Sequence, residues 1–223
     1  MVQVDIVIAT LFHPPTLEPL VASAEKQGAT VHVIEGKRVN VAWNEGRQKS
    51  KASHVCILND DIIMEPEDDW LGRIAARHDE GYTHVTPIMF GEKAGESGEK
   101  KLERQPRHRG HAFSISKSMA PPIPSKLEIS FGDDWHFLWH LEVGRPCVIT
   151  DVQYKTGEDA GFVGRCSWTL EHPKIHDFLG EGRRMIYLRE MEEARKYFRF
   201  RPGRGAPVGL RPELVAHAFK ETA

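Results

Sequence analysis

The chain has 223 residues, 40% apolar and 28% charged, with a net charge of −2. That length suits one large α/β domain or two small ones, and the composition is that of a globular chain with a sizeable core. A near-neutral balance excludes whole-molecule attraction to nucleic acid or acidic lipid, and no apolar run approaches the ~20 residues that span a bilayer.

The N-terminus, "MVQVDIVIATLFHPP", lacks a basic leader region and a cleavage site and reads as a first strand. Cys56, Cys147 and Cys166 are widely separated and odd in number, which fits reduced core thiols in a cytoplasmic setting. No Cys/His spacing resembles a zinc site.

"VDIVIAT" (4–10) is a β-rich run. Thr16 is placed to cap a helix with Pro19 in its first turn, and Leu17, Leu20, Val21 and Ala24 form one helical stripe before Gly28. "TVHVIEG" is a second strand, and Asn40 opens a helix, "NVAWNEGRQKSKA". The apolar run Val55–Leu58 then ends on Asn59, Asp60 and Asp61. After a turn at Pro66 come a helix, "DDWLGRIAARHDE", closed by Gly81, and the strand "THVTPIMF". The alternation predicts an α/β fold with a mostly parallel sheet and helices on both faces.

Residues 92–110 hold only Ala94 and Leu102 as apolar groups and read as a long mobile loop. "HAFSISKS" predicts a half-buried strand with His111, Phe113 and Ile115 on one face. "DDWHFLWHLEV" is a helix with Trp135, Leu138 and Trp139 on one side and Gly144 as its stop, and "PCVITDVQY" a last strand. No internal repeat is present. The expected organisation is a domain over 1–177 and, from 178 to 223, a basic helix with an irregular tail packed on it. The helix "EGRRMIYLREMEEARKYF" is expected to bury the stripe Met185, Leu188 and Met191; "RFRPGRGAPVGLRP" reads as irregular.

Ligands of open parallel sheets bind beyond the carboxyl ends of the strands, where Asp60 and Asp61 sit. Hard oxygen donors there suit Mg²⁺ or Mn²⁺, which take one or two carboxylates and complete their shell with phosphate and water. The plainer alternative is a pair of turn or capping residues. A second acidic pair, Asp133 and Asp134, opens a helix behind "ISFG". One acid suffices for an N-cap, so the second points beyond capping.

This order of parts resembles the GT-A glycosyltransferases, in particular glycosyltransferase family 2. The resemblance covers about residues 3–155. It rests on "VDIVIAT", "VHVIEG", "NVAWNEGRQKSKASHVCILNDD" with "IIMEPEDDWL", similar to the family's "LNxDxxxxPxWL" signature, and on "FGDDWHFLWHLEVGRP", with Asp133 in place of the usual Glu. It implies a metal-dependent inverting transfer from a nucleoside diphosphate sugar to an acceptor hydroxyl, with Mn²⁺ or Mg²⁺ as cofactor. Asp61 would bind the metal, Asp60 the ribose or diphosphate, and Asp134, beside Asp133, would be the general base. Thr10 and Glu35 fall where the family cradles base and ribose, with Arg38 and Lys51 as further candidates. The chain departs from the family in "EGKR" after the second strand. Tyr154-Lys155 stands where a metal-binding His is common; His172 or His176 are the substitutes, and Lys155 would offset diphosphate charge. "KTGEDAGFVGR" has the glycines of a closing flap.

Basic residues gather in the loop 104–111 (Arg104, Arg107, Arg109) and in the tail 180–211, where nine Lys/Arg stand against four Glu, a net +5. Tyr197, Phe198 and Phe200 are interleaved with the tail cations. Cations beside stacking faces suit nucleic acid. A hydroxymethylated pyrimidine in DNA, as in phage genome-modifying enzymes, is therefore one acceptor; a saccharide or lipid-linked glycan is another. A non-catalytic nucleotide- or nucleic-acid-binding module of the same fold is the alternative from a different class.

Overall fold

The computed structural model describes residues 2–65, 68–89, 100–101, 110–156, 173–202 and 205–221. Among them, β1 (Val4–Thr10), α1 (Leu17–Lys26), β2 (Val31–Glu35), α2 (Val39–Lys49) and β3 (His54–Asn59) alternate as expected. The short β4 (Ile62–Ile63), α3 (Trp70–Asp79), β5 (His84–Met89), β6 (Lys100–Lys101) and β7 (Ala112–Ser116) follow. Then come α4 (Gly132–Val143), β8 (Pro146–Thr156), α5 (Pro173–Leu179), α6 (Arg183–Ala194), β9 (Phe198–Phe200), β10 (Pro207–Leu210) and α7 (Pro212–Glu221).

The main sheet runs β2-β1-β3-β7-β5-β8-β4, with β6 paired to β8. β1 is parallel to both β2 and β3, and β5 is parallel to β8. β7 runs antiparallel between β3 and β5. Every residue of β1 is buried because both faces of the sheet are covered. Val7 and Ala9 pack with Trp43 of α2 and with Trp135, Phe137 and Leu138 of α4, while Val4, Ile6 and Ile8 meet Leu17 and Leu20 of α1 and Trp70 and Ile74 of α3. Each such large side chain contributes about 1.5–3 kcal/mol.

Four expectations change. β7 is buried throughout rather than on one face, because it lies inside the sheet; its Ser114 shares a 2.8 Å hydrogen bond with His78 Nε2. Within the segment read as a mobile loop, Lys100–Lys101 pairs with Cys147–Val148; residues 92–99 and 102–109 lie outside the described residues. Met185 and Leu188 are 62% and 50% exposed, and α6 instead turns Ile186, Glu190 and Ala194 inward, with Met191 half-buried. The tail read as irregular holds the antiparallel pair β9–β10 and then α7.

Candidate functional site

Asp60 follows β3 directly and is fully buried. Thr10, the last residue of β1, donates its hydroxyl to Asp60 Oδ2 at 2.8 Å, and Thr16 donates its own to the Asp60 carbonyl, also at 2.8 Å. Thr16 stands at the N-cap of α1, yet its side chain serves this contact rather than the helix. Asp61 is buried in the turn between β3 and β4. β4 pairs Ile62 with Thr156 and Ile63 with Lys155, which brings Lys155 to the segment that carries Asp61. Lys155 Nζ stands 3.4 Å from Glu65 Oε1.

The parallel register sets Glu35 beside Thr10. Glu35 Oε2 lies 3.0 Å from His13 Nε2, and the His13 amide donates to the Thr10 hydroxyl at 3.3 Å. His13 has φ 48°, a left-handed conformation that a non-glycine residue adopts at a cost.

The second acidic pair occupies the first turn of α4. Its N-cap residue is Phe131, left-handed at φ 64°, so neither aspartate is the cap. Both carboxylates stand at the positive end of the helix dipole, and Asp134 is buried. Asn40 of α2 holds the approach: its Nδ2 donates to the carbonyls of Leu127 and Ser130, both at 3.0 Å, and its backbone N–H to that of Glu128 at 3.0 Å.

One short segment lies between the end of β3 and the second pair. The Asn59 amide donates to the His111 carbonyl at 2.8 Å, which fixes the end of β3 against Gly110–His111. A Cβ placed on Gly110 would stand 3.0 Å from Asp133 Oδ2, so the Asp133 carboxylate lies against the same segment. Tyr154 meets the His111 ring edge-on at 6.1 Å. A cleft of about 220 Å³ opens beside β4, lined by Ile63, Glu65, Asp151, Gln153, Tyr154 and Lys155.

Thr10, Glu35, Asp60, Asp61, Lys155 and Asp133–Asp134 thus gather at one end of the sheet. Lys51 does not: it precedes β3, at the opposite end of a strand about 20 Å long. Arg38 pairs with Glu128, ahead of α4. His172, Arg104, Arg107, Arg109 and the glycines at 157, 161 and 164 lie outside the described residues, and so does the side chain of His176 on α5. The tail aromatics pack inward: Phe198 is buried and Tyr197 meets Trp135 at 5.7 Å. Phe200 lies 6.1 Å from Phe131. Among the tail cations, Arg189 pairs with Glu181, Lys196 with Glu193 and Arg199 with Glu142.

Among the described residues, no three His, Cys, Asp or Glu side chains are grouped to hold a metal ion. Two buried carboxylates at a strand end still fit Mg²⁺ or Mn²⁺, since these ions keep waters and take phosphate oxygens instead of demanding an all-protein cage. Sequence reasoning missed His13, Asn40 and Gly110. Asn40 looked like a helix opener, and nothing local ties Gly110 to a helix more than twenty residues on.

No family model matches the chain, and neither does any curated protein. Solved structures do. S. aureus TarS 1-349 in complex with UDP aligns with a TM-score of 0.53 at 14% identity, over 87% of this chain and 68% of that one. The same TarS 1-349 described without UDP gives 0.51 at 13% identity over the same shares. A longer S. aureus TarS chain also gives 0.51 at 13%, with 87% of this chain matched to 41% of that one. No described helix is long and apolar enough to cross a membrane. At such identities the likeness concerns architecture, and the chain has a GT-A-like fold, a large, mostly parallel sheet flanked by helices.

Proposed function

We propose that the chain is a nucleotide-sugar-dependent glycosyltransferase that moves a sugar, with inversion, from a nucleoside diphosphate sugar to an acceptor hydroxyl. The observation that supports this reading is that Gly110–His111, at the carboxyl end of the sheet, lies against Asp133 and bonds Asn59, the residue before Asp60–Asp61. The UDP of the TarS complex is in keeping with a nucleotide donor on this fold.

In this proposal Asp61 would hold Mn²⁺ or Mg²⁺, and Asp60, fully buried and bonded to Thr10 and Thr16, would fix the turn that carries Asp61. The ion, when bound, supplies positive charge beside the leaving diphosphate. Glu35, with His13, borders the base and ribose, and Lys155 offsets phosphate charge. Asp134 removes the proton from the acceptor hydroxyl as its oxygen attacks the anomeric carbon on the face opposite the leaving group. The cleft beside β4 is smaller than the ~300–1,000 Å³ that encloses a drug-sized ligand, which suits one sugar ring. Between acceptor classes, the inward packing of Tyr197, Phe198 and Phe200 favours a saccharide or lipid-linked glycan over a hydroxymethylated pyrimidine in DNA.

The test is release of nucleoside diphosphate from a panel of nucleotide sugars with Mn²⁺, and again with chelator. Asp61→Asn and Asp134→Asn are each expected to lower turnover by about 10²-fold or more. Turnover untouched by both substitutions would refute the roles; none from any donor would favour a binding module. Mass spectrometry of glycan and hydroxymethylated-DNA acceptors separates the acceptor classes.

A further inference from the structure

Glu190 of α6 is the only fully buried carboxylate besides Asp60 among the described residues. Its two oxygens accept three consecutive backbone N–H groups: Glu128 at 3.2 and 3.1 Å, Ile129 at 3.3 Å and Ser130 at 3.2 Å. Arg189 Nη2 stands 3.5 Å from Oε1 of the same carboxylate. Successive amides turned onto one anion form a nest, a geometry that fixes a backbone segment. This one ends where Phe131 turns left-handed and α4 begins with Asp133 and Asp134. From the other side, Asn40 holds the carbonyls of Leu127 and Ser130. An apolar residue at 190 would leave three inward N–H groups without their acceptor.

We propose that Glu190 is a positioning residue: the C-terminal segment, through this carboxylate, sets the place of the Asp134 base. The inference rests on the glycosyltransferase reading and deepens it, making the segment beyond β8 part of the catalytic apparatus. Asp60 and Thr10 belong to the N-terminal half and bond one another, so donor binding is expected to be independent of this clamp.

The test compares wild type with Glu190→Gln, Glu190→Asp and Ile186→Ala, the last removing a buried apolar group from the same helix outside the clamp. Glu190→Gln keeps an oxygen but sets an NH₂ against the amides. Its kcat is expected to fall by about 10²-fold, as for a misplaced catalytic group, with the donor KM unchanged. Glu190→Asp should recover part of that loss. The amides of residues 128–130 should lose hydrogen-exchange protection in Glu190→Gln, while Ile186→Ala lowers the urea midpoint and keeps kcat. A folded Glu190→Gln with wild-type kcat overturns the proposal, as does an equal loss of kcat in Ile186→Ala. If Glu190→Gln does not fold, Glu190→Asp decides, with reduced kcat at unchanged KM expected and wild-type kcat overturning. A wild type that releases no nucleoside diphosphate from any donor overturns the functional reading itself, an outcome distinct from an active wild type with indifferent variants.

Discussion

Replacing His140 with Leu should stabilise the protein, and more so in acid. His140 is fully buried on α4, and neither ring nitrogen meets a hydrogen-bonding group among the described residues. Its ring lies 5.5 Å from His84 of β5. Burial holds its pKa well below the usual range, and His84, His136, Arg47 of α2 and His78 of α3 push the same way. His136 is depressed likewise by burial, then by Arg47 and His84. An imidazole kept neutral when folded but free to protonate at ~6.5 when unfolded gives stability that is present above that pH and is lost as pH falls towards the folded pKa. For His78, lowered by burial to about 4, the loss between pH 7.5 and 5 is about 2 kcal/mol; His136 and His140 add to it in the same window. At pH 7.5, His140→Leu removes buried nitrogens whose unmet bonding costs about 1–3 kcal/mol. We therefore expect a gain of about 1 kcal/mol there and a shallower fall towards pH 5, read from urea midpoints at both pH values. A variant less stable at pH 7.5, with an unchanged pH slope, would refute the reasoning.

Thr10→Val removes the 2.8 Å bond to the buried Asp60 carboxylate and should cost about 1.5–3 kcal/mol in urea unfolding, with weaker donor binding alongside; wild-type stability would show that the bond contributes nothing. Gly132→Ala sets a Cβ 2.0 Å from Asn40 Oδ1, so Asn40 must leave its place or the start of α4 must move. The expected loss is about 1–3 kcal/mol. It should shrink when Asn40→Ala is present, and strictly additive losses would contradict the clash.

The strands and helices of the α/β alternation were legible because hydrophobic periodicity is local. β1, β3 and the helices between them carry their pattern in a few consecutive residues, and Asp60–Asp61 could be placed at a strand end from sequence alone. Local pattern did not fix partners. β7 reads as a one-sided strand, yet antiparallel insertion between β3 and β5 buries all of it. On α6 the apolar spacing of Met185, Leu188 and Met191 outweighs Glu190, one of three Glu on the helix, in any sequence reading. The folded chain turns Glu190 inward because three amides some sixty positions earlier wait for an acceptor. Gly110 against Asp133, and His140 beside His84, are likewise contacts between distant segments. Local pattern was enough for β1 to β3, the helices between them and the first carboxylate pair, but not for β6, β9, β10 or α7; what each side chain faces came from long-range packing, because burial of a polar group depends on a distant hydrogen-bonding partner rather than on its neighbours in the chain.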